Sequence, residues 1–207
     1  AIGYGAGSAV STGVENVIVG GNAGDAITTG SYNAVLGTTA LSANTKSSAN
    51  VAIGNSALAT HNLTSATAGY NVAVGFNAGV SVSTGTQNTI IGALAGDALT
   101  TGTAGNVAVG YQALTTQVGY GQNVAIGTQA LRDQNVNSHG NNVAVGHQAG
   151  LSVSTGTSNT LIGSLAGDAI TTGSHNIAIG REALSSEDAH GYNIAIGGYA
   201  LQDQNAE

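Results

Sequence analysis

The stretch NVAVGFNAGVSVSTGTQ, from Asn71 to Gln87, returns later in the chain as NVAVGHQAGLSVSTGTS, from Asn142 to Ser158. Its opening pattern is Asn-hydrophobic-x-hydrophobic-Gly, followed by x-x-Ala, and this pattern recurs along the whole chain of 207 residues. Counting the N-terminal AIGYGAG as the end of one copy gives twelve copies. Their spacing is seventeen in most intervals, and eighteen, nineteen and twenty-one in one interval each. A repeat this regular dictates the fold before any single residue does.

Two positions of the repeat hardly vary. A glycine ends the hydrophobic segment in all twelve copies: Gly3, Gly20, Gly37, Gly54, Gly75, Gly92, Gly110, Gly127, Gly146, Gly163, Gly180 and Gly197. An asparagine opens the eleven complete copies: Asn16, Asn33, Asn50, Asn71, Asn88, Asn106, Asn123, Asn142, Asn159, Asn176 and Asn193. A longer period of four copies also exists, and it divides the chain into blocks 1–70, 71–141 and 142–207, the first two of which close with a longer copy.

The repeat predicts an all-β parallel β-solenoid. Helical hairpin repeats need about 33 residues or more, which is too long for this period. The hydrophobic residues alternate with a spacing of two, which is typical of strands. One copy therefore forms one coil, and we expect about 12 coils of 17–21 residues in one continuous domain, 1–207, a segment of a longer fibre. Coils stack about 4.8 Å apart, so the rod would be roughly 55 Å long.

The invariant residues have physical roles in such a coil. The glycine is expected where the chain turns sharply with positive φ. The asparagine would lie at the same place in every coil, where its amide bonds to its copies above and below or caps the turn. Several strands, such as Asn88–Gly92 with Ile90 at its centre, are apolar on both faces. Because strands apolar on both faces are buried on both faces, we expect the outer face to pack on neighbouring chains.

The segments NVAIGNSALA (50–59), NVAVGYQALT (106–115) and NIAIGREALS (176–185) resemble the NSVAIGxxAxA repeats in the heads of YadA-like trimeric autotransporter adhesins. The same NxAxGxxAL pattern with longer coils resembles repeat regions of bacteriophage tail fibres. The resemblance covers the whole chain but is specific to the half of each copy from Asn to Ala. It implies a left-handed β-roll and a homotrimer about one axis. The long coils and the frequent absence of Ser after Asn favour the tail-fibre version.

Composition excludes several classes of function. The net charge is −7 with only three basic residues, which excludes a nucleic-acid partner. No apolar run approaches the length of a transmembrane helix, about 20 residues, so we expect no membrane insertion. Cysteine is absent, which removes disulfides and thiolate metal sites. The hydrophobic content of 42% does not suit a disordered chain.

Few residues suggest chemistry. Asp25, Asp97 and Asp168 occur once per block and are weak candidates for a metal site, because calcium-binding β-rolls carry such an Asp in every short repeat. We expect no cofactor and no enzymatic activity, since no nucleophile motif or metal spacing is present. The five histidines are expected on loops or facing solvent. The candidate contact loops are in the longer copies and comprise His61, Asn62, Arg132, Asp133 and His139.

Three functions remain open at this level. The first is a structural fibre or adhesin segment, extracellular on a virion or a bacterial cell surface, whose partners are copies of itself and a host glycan or protein. The second is an ice-binding solenoid, because Thr28-Thr29, Thr100-Thr101 and Thr171-Thr172 suit a flat threonine array. The third is a polysaccharide-degrading solenoid enzyme, for which the only dense acids are Glu187-Asp188.

Overall fold

The computed structural model describes residues 1–102, 104–118, 121–136, 138–186 and 189–203. It contains eleven strands of three residues each and, among the described residues, no helix. The strands are β1 Val17–Val19, β2 Ala34–Leu36, β3 Val51–Ile53, β4 Val72–Val74, β5 Thr89–Ile91, β6 Val107–Val109, β7 Val124–Ile126, β8 Val143–Val145, β9 Thr160–Ile162, β10 Ile177–Ile179 and β11 Ile194–Ile196.

The strands form a single parallel sheet in the order of the sequence, from β1 to β11. Each strand pairs with the next without a shift, so that Ala73 lies beside Ile90 and Ile90 beside Ala108. A parallel sheet in sequence order requires the chain to complete one turn between strands, which confirms the predicted all-β parallel solenoid. The twelve sequence copies give eleven strands and about ten turns, and Ile2 adds one isolated parallel bridge to Val19. We call one turn a rung.

The repeat glycine allows adjacent rungs to approach closely. Gly75 has φ +138°, which side chains rarely adopt, and a Cβ placed there would lie 2.6 Å from the carbonyl oxygen of Gly92 in the next rung. All twelve repeat glycines have φ between +121° and +146°. Glycine is therefore required twice over at this position, by the backbone angle and by the neighbouring carbonyl.

The middle residue of every strand is buried, whereas its two neighbours face outward and are at least partly exposed. In β4, Ala73 is fully buried and Val72 and Val74 are half-buried. The core of the solenoid is thus built from the middle residues of the strands, the repeat alanines and one larger side chain from the turn of each rung. The middle residue is alanine in most strands and larger in four, at Ile18, Val35, Ile90 and Leu161. The alternation follows from the pleat of the strand.

That larger core side chain comes from one of two positions, and the choice follows the period of four rungs. In the first type of rung, a glycine follows the repeat alanine, and an apolar residue lies three positions after that glycine. In the second type, a leucine follows the repeat alanine, and a polar residue lies three positions after that leucine. The buried pairs of the first type are Gly24/Ile27, Gly79/Val82, Gly96/Leu99, Gly150/Val153 and Gly167/Ile170. Those of the second type are Leu41/Asn44, Leu58/His61, Leu114/Gln117 and Leu131/Gln134.

The two arrangements exclude each other sterically. A Cβ on Gly96 would come within 2.7 Å of Leu99 Cδ1, so a leucine at the first position has no room while the second is apolar. The leucines of the other rungs adopt φ near +50°, as Leu114 does with φ 53°. The four-copy period therefore reflects core packing. Two rungs whose core is filled by the later apolar residue alternate with two rungs whose core is filled by the leucine after the repeat alanine.

Candidate interaction surfaces

The outer face of the sheet is a continuous apolar surface. It is formed by the first and third residues of each strand, and among all these positions only Thr89 and Thr160 are polar. In the middle of the rod Ile91, Ile126 and Ile162 are each between 38 and 39% exposed. Contiguous apolar surface of this length is rare on monomeric proteins and marks interaction sites.

The repeat asparagines form a hydrogen-bonded ladder along the interior edge of the sheet. Asn16 Oδ1 accepts hydrogen bonds from the backbone N–H and the Nδ2 atom of Asn33, both at 3.0 Å. The same pair of bonds joins Asn71 to Asn88 and Asn88 to Asn106 at 3.1 Å. Every ladder asparagine from Asn33 to Asn176 is buried. The ladder therefore satisfies a backbone donor of each rung and holds the rungs in register, which is a structural role.

The weak metal candidates do not come together. Asp25, Asp97 and Asp168 lie at the same position of every fourth rung, so each is on the order of 19 Å from the next at the usual strand spacing. In each of them Oδ1 is buried and has no hydrogen-bond partner. Burial raises the pKa of Asp97 and Asp168. No three His, Cys, Asp or Glu side chains of the described chain are grouped closely enough to hold a metal ion.

The candidate contact residues have different environments. Arg132 and Asp133 form an ion pair at 2.7 Å and are about one third exposed. His139 is exposed, whereas Asn62 is half-buried and its Oδ1 accepts hydrogen bonds from Thr45. The prediction for His61 is wrong: its side chain is fully buried, and not part of a surface loop.

His61 is buried because it occupies the inner corner that Val82 fills in the next rung. Its Nε2 lies 3.0 Å from Ser47 Oγ, which also accepts a hydrogen bond from Asn50 Nδ2 at 3.0 Å. Its Nδ1 makes no hydrogen bond of ordinary length, although the Ser83 backbone is near enough to favour the protonated ring slightly. Burial lowers the pKa of His61 from 6.5 to about 4. The sequence did contain a signal for this burial, since the position aligns with the apolar residue of other copies, as at Val82.

Exposed aromatic side chains lie in columns on the surface. One column is the residue before the ladder asparagine, where Tyr32, Tyr70 and Tyr192 are 59, 62 and 81% exposed. In this column His175 and Tyr192 of adjacent rungs stack with their ring centroids 4.9 Å apart and an interplanar angle of 13°. A second column follows the repeat glycine; its aromatic members are Tyr4, Phe76 and Tyr111, all of them exposed.

The threonine pairs do not form an array. Thr28 Oγ1 donates to the backbone carbonyl of Thr45 at 3.0 Å, and Thr100 Oγ1 donates to that of Val118 at 2.6 Å. These hydroxyls thus bond to the next rung instead of facing water. The exposed threonines beside them, Thr29, Thr101 and Thr172, are four rungs apart.

The described part of the chain shows no catalytic cleft. No pocket is found there, and the Ser47–His61 contact is inaccessible because both side chains are fully buried. Glu187 and Asp188, the acids considered for a glycan-cleaving enzyme, lie outside the described residues. Within the described chain, no helix has the length and apolar character that a membrane span requires.

Comparison with protein-family models, characterised proteins and solved structures finds no match to this chain.

Proposed function

We propose that this chain is a stiff rod segment of a surface fibre or adhesin, extracellular on a virion or a bacterial cell, and that it assembles as a homotrimer through the outer face of its sheet. The apolar surface on that face is the observation that carries the proposal. It extends over all eleven strands, and no charged residue interrupts it.

Burial of the outer face supplies the driving force for assembly. Apolar surface removed from water contributes about 25 cal/mol per Å², and a stable interface buries roughly 800 Å² per partner. Eleven rungs at about 4.8 Å give a strip roughly 50 Å long, to which every strand contributes its two outward-facing side chains. Isoleucine and valine dominate the strip, which is therefore apolar and uncharged, as the buried core of an interface is.

Stiffness follows from the way each rung is fixed to the next. Ten parallel strand pairings without a break run along the rod. The asparagine ladder and the close glycine contacts add a second and a third connection between rungs. A rod of this kind suits a spacer that holds contact loops, such as the one with Arg132 and His139, away from a surface.

The number of chains and the hand of the coil rest on the resemblance to trimeric adhesin heads and phage tail-fibre repeats. Two alternatives have less support. An ice-binding surface needs regularly exposed threonines, whereas Thr28 and Thr100 bond to neighbouring carbonyls. A glycan-cleaving enzyme needs paired acids in a cleft, and the described surface presents none.

Sedimentation equilibrium tests the proposal. The wild-type chain should sediment as an elongated trimer at micromolar concentration. The variant Ile126→Glu/Ile162→Glu places two charges in the apolar strip and should sediment as a monomer with an unchanged far-UV circular dichroism spectrum. The control Thr29→Glu/Thr172→Glu adds the same charge at exposed positions away from the strip and should remain trimeric. A wild-type monomer at micromolar concentration would contradict the proposal.

A further inference from the structure

The column of residues before the ladder asparagine contains an unfilled position between two aromatic side chains. Five successive rungs of it carry Glu15, Tyr32, Ala49, Tyr70 and Gln87. All five have the same left-handed backbone conformation, with φ between 51° and 60°, so their Cβ atoms leave the rod in the same direction. The two tyrosines are therefore separated by one rung whose side chain is a methyl group.

The longer copy that ends at Tyr70 carries one extra residue opposite Ala49, and the rungs are in register again at the next ladder asparagine. That copy is the one with the longest interval in the chain, from Asn50 to Asn71. Ser48 pairs with Ala68, and the Gly69 N–H donates to the Ser48 carbonyl oxygen at 2.8 Å. The Asn71 N–H then donates to Asn50 Oδ1 at 3.3 Å, so Gly69 and Tyr70 together lie opposite Ala49. On the other side, the backbone N–H of Ala49 donates to the carbonyl oxygen of Ser31 at 3.0 Å, which places Ala49 beside Tyr32.

The His175–Tyr192 stack gives the ring spacing of this column. Rings on adjacent rungs lie 4.9 Å apart and nearly parallel. Rings on rungs that are two apart, as Tyr32 and Tyr70 are, then stand about 10 Å apart, twice the strand spacing. A third ring placed over Ala49 would lie about 5 Å from each tyrosine, within the range of favourable aromatic contacts. This space is one ring wide, and we call it the Tyr32–Tyr70 slot.

The surroundings of the slot favour a neutral sugar over other ring-shaped ligands. The column residues that border the slot, Tyr32, Ala49 and Tyr70, are uncharged, and Glu15 and Gln87 lie beyond the two tyrosines, two rungs from Ala49. The chain carries a net charge of −7, which disfavours an acidic sugar. A saturated pyranose ring is thicker than a planar ring and presents C–H groups on both faces, which suits two tyrosine faces at this spacing.

We propose that the Tyr32–Tyr70 slot binds a single pyranose ring of a neutral glycan, held between the two tyrosine rings over Ala49. The biological role of the slot rests on the proposed function, because the slot would be the place where the surface rod contacts a glycan. The slot itself belongs to one chain and does not depend on the number of chains in the assembly.

Saturation-transfer NMR on the wild-type protein tests the slot, with methyl glucoside, galactoside, mannoside and N-acetylglucosaminide as probes. At least one should receive saturation, strongest at its ring C–H protons. The variant Ala49→Tyr fills the slot with a protein ring while both walls remain, and should abolish the transfer. Tyr32→Ser removes a wall and should reduce the transfer at least tenfold. The matched control Tyr192→Ser changes an exposed tyrosine of the same column at a distance and should leave the transfer unchanged.

The inference is overturned if no probe receives saturation, if transfer persists in Ala49→Tyr, or if Tyr192→Ser weakens it as much as Tyr32→Ser does. The outer-face variant Ile126→Glu/Ile162→Glu separates this test from that of the proposed function. If the wild type is a trimer that binds no sugar, the proposed function stands and the sugar-binding inference is overturned. If the wild type is a monomer that binds sugar, the proposed function is overturned and the sugar-binding inference stands. Binding by the outer-face variant alone would mean that assembly covers the slot, and would overturn its role as the glycan contact of the surface rod.

Discussion

Asn33 Oδ1 accepts two hydrogen bonds from Asn50 in the next rung, one from its backbone N–H at 3.0 Å and one from its Nδ2 at 3.1 Å. Both side chains are buried. A single amide thus satisfies a backbone donor that would otherwise be buried without a partner and, at the same time, fixes the position of the next amide. The pairing explains why the residue type does not vary, since glutamine is one methylene longer and aspartate has no donor.

Removing one ladder amide in the middle of the rod should cost substantial stability. In Asn106→Ala the backbone N–H of Asn123 loses its acceptor, now at 3.1 Å, in a buried position. A buried unsatisfied donor costs about 1–3 kcal/mol, so the free energy of unfolding should fall by at least that amount. Denaturant unfolding measures it, and Asn135→Ala, at an exposed position, should change it little. Equal stability of the two variants would mean that the ladder is dispensable.

Three glycine substitutions separate the backbone angle from close packing. Gly75→Ala meets both the positive φ and the Gly92 carbonyl oxygen at 2.6 Å, and should be the most destabilising, by more than about 3 kcal/mol. Gly105→Ala has φ +70° but nothing within 4 Å, so it should cost about 1 kcal/mol. Gly21→Ala has an ordinary φ and only a methyl contact at 3.9 Å, and should be neutral. Thermal unfolding ranks the three, and any other order contradicts the explanation.

The buried His61 makes stability depend on pH. Its pKa is about 4 in the fold and 6.5 for the exposed group, so between these values the unfolded chain binds more protons. Stability is therefore complete above pH 6.5 and falls as the pH decreases towards 4, by about 3 kcal/mol for this difference in pKa. Denaturant midpoints between pH 4 and 7 measure the loss.

The control for this prediction is His61→Gln, because Gln117 and Gln134 occupy the equivalent corner and are fully buried. This variant should lose most of the pH dependence in that window. Comparison with it is necessary because the raised pKa values of Asp97 and Asp168 have the opposite sign: they favour the fold at low pH and lose that contribution as the pH rises. An unchanged pH dependence in His61→Gln would show that His61 is not responsible.

The two core arrangements should be interchangeable within a rung. Leu114→Gly removes the large apolar core side chain of a rung whose other buried apolar residues are Ala108 and Ala113, and should cost about 3 kcal/mol or more through the cavity it leaves. The double variant Leu114→Gly/Gln117→Val reproduces the combination Gly79 and Val82 of another rung and should recover part of that loss. Equilibrium unfolding of both single variants and the double variant gives the coupling. Additive effects would show that the two positions do not fill the same space.

The sequence predicted the backbone of this protein well because the repeat repeats its physical constraints. The complete copies share a short segment with apolar residues two positions apart in most of them, an asparagine just before it and a glycine just after it. Only a solenoid with one copy per turn places all copies in equivalent positions. The apolar outer face was also visible, since residues such as Ile91 and Ile162 alternate with buried ones. The pattern within one copy was sufficient to predict the strands and the outer face, because each rung contacts only the rungs formed by the preceding and following copies.

Only the tertiary structure decided which side chains fill the core of each turn and which side chains are neighbours on the surface. His61 was expected at the surface because it is polar and lies in an irregular copy. It instead fills the core corner that Val82 occupies in the next rung, where its Nε2 lies 3.0 Å from Ser47 Oγ. The slot between Tyr32 and Tyr70 likewise depends on the coil: these residues are far apart in the chain but only two rungs apart along the rod. Sequence periodicity fixes the height of a residue along the rod, whereas competition for volume among side chains that share a turn decides which of them faces the core.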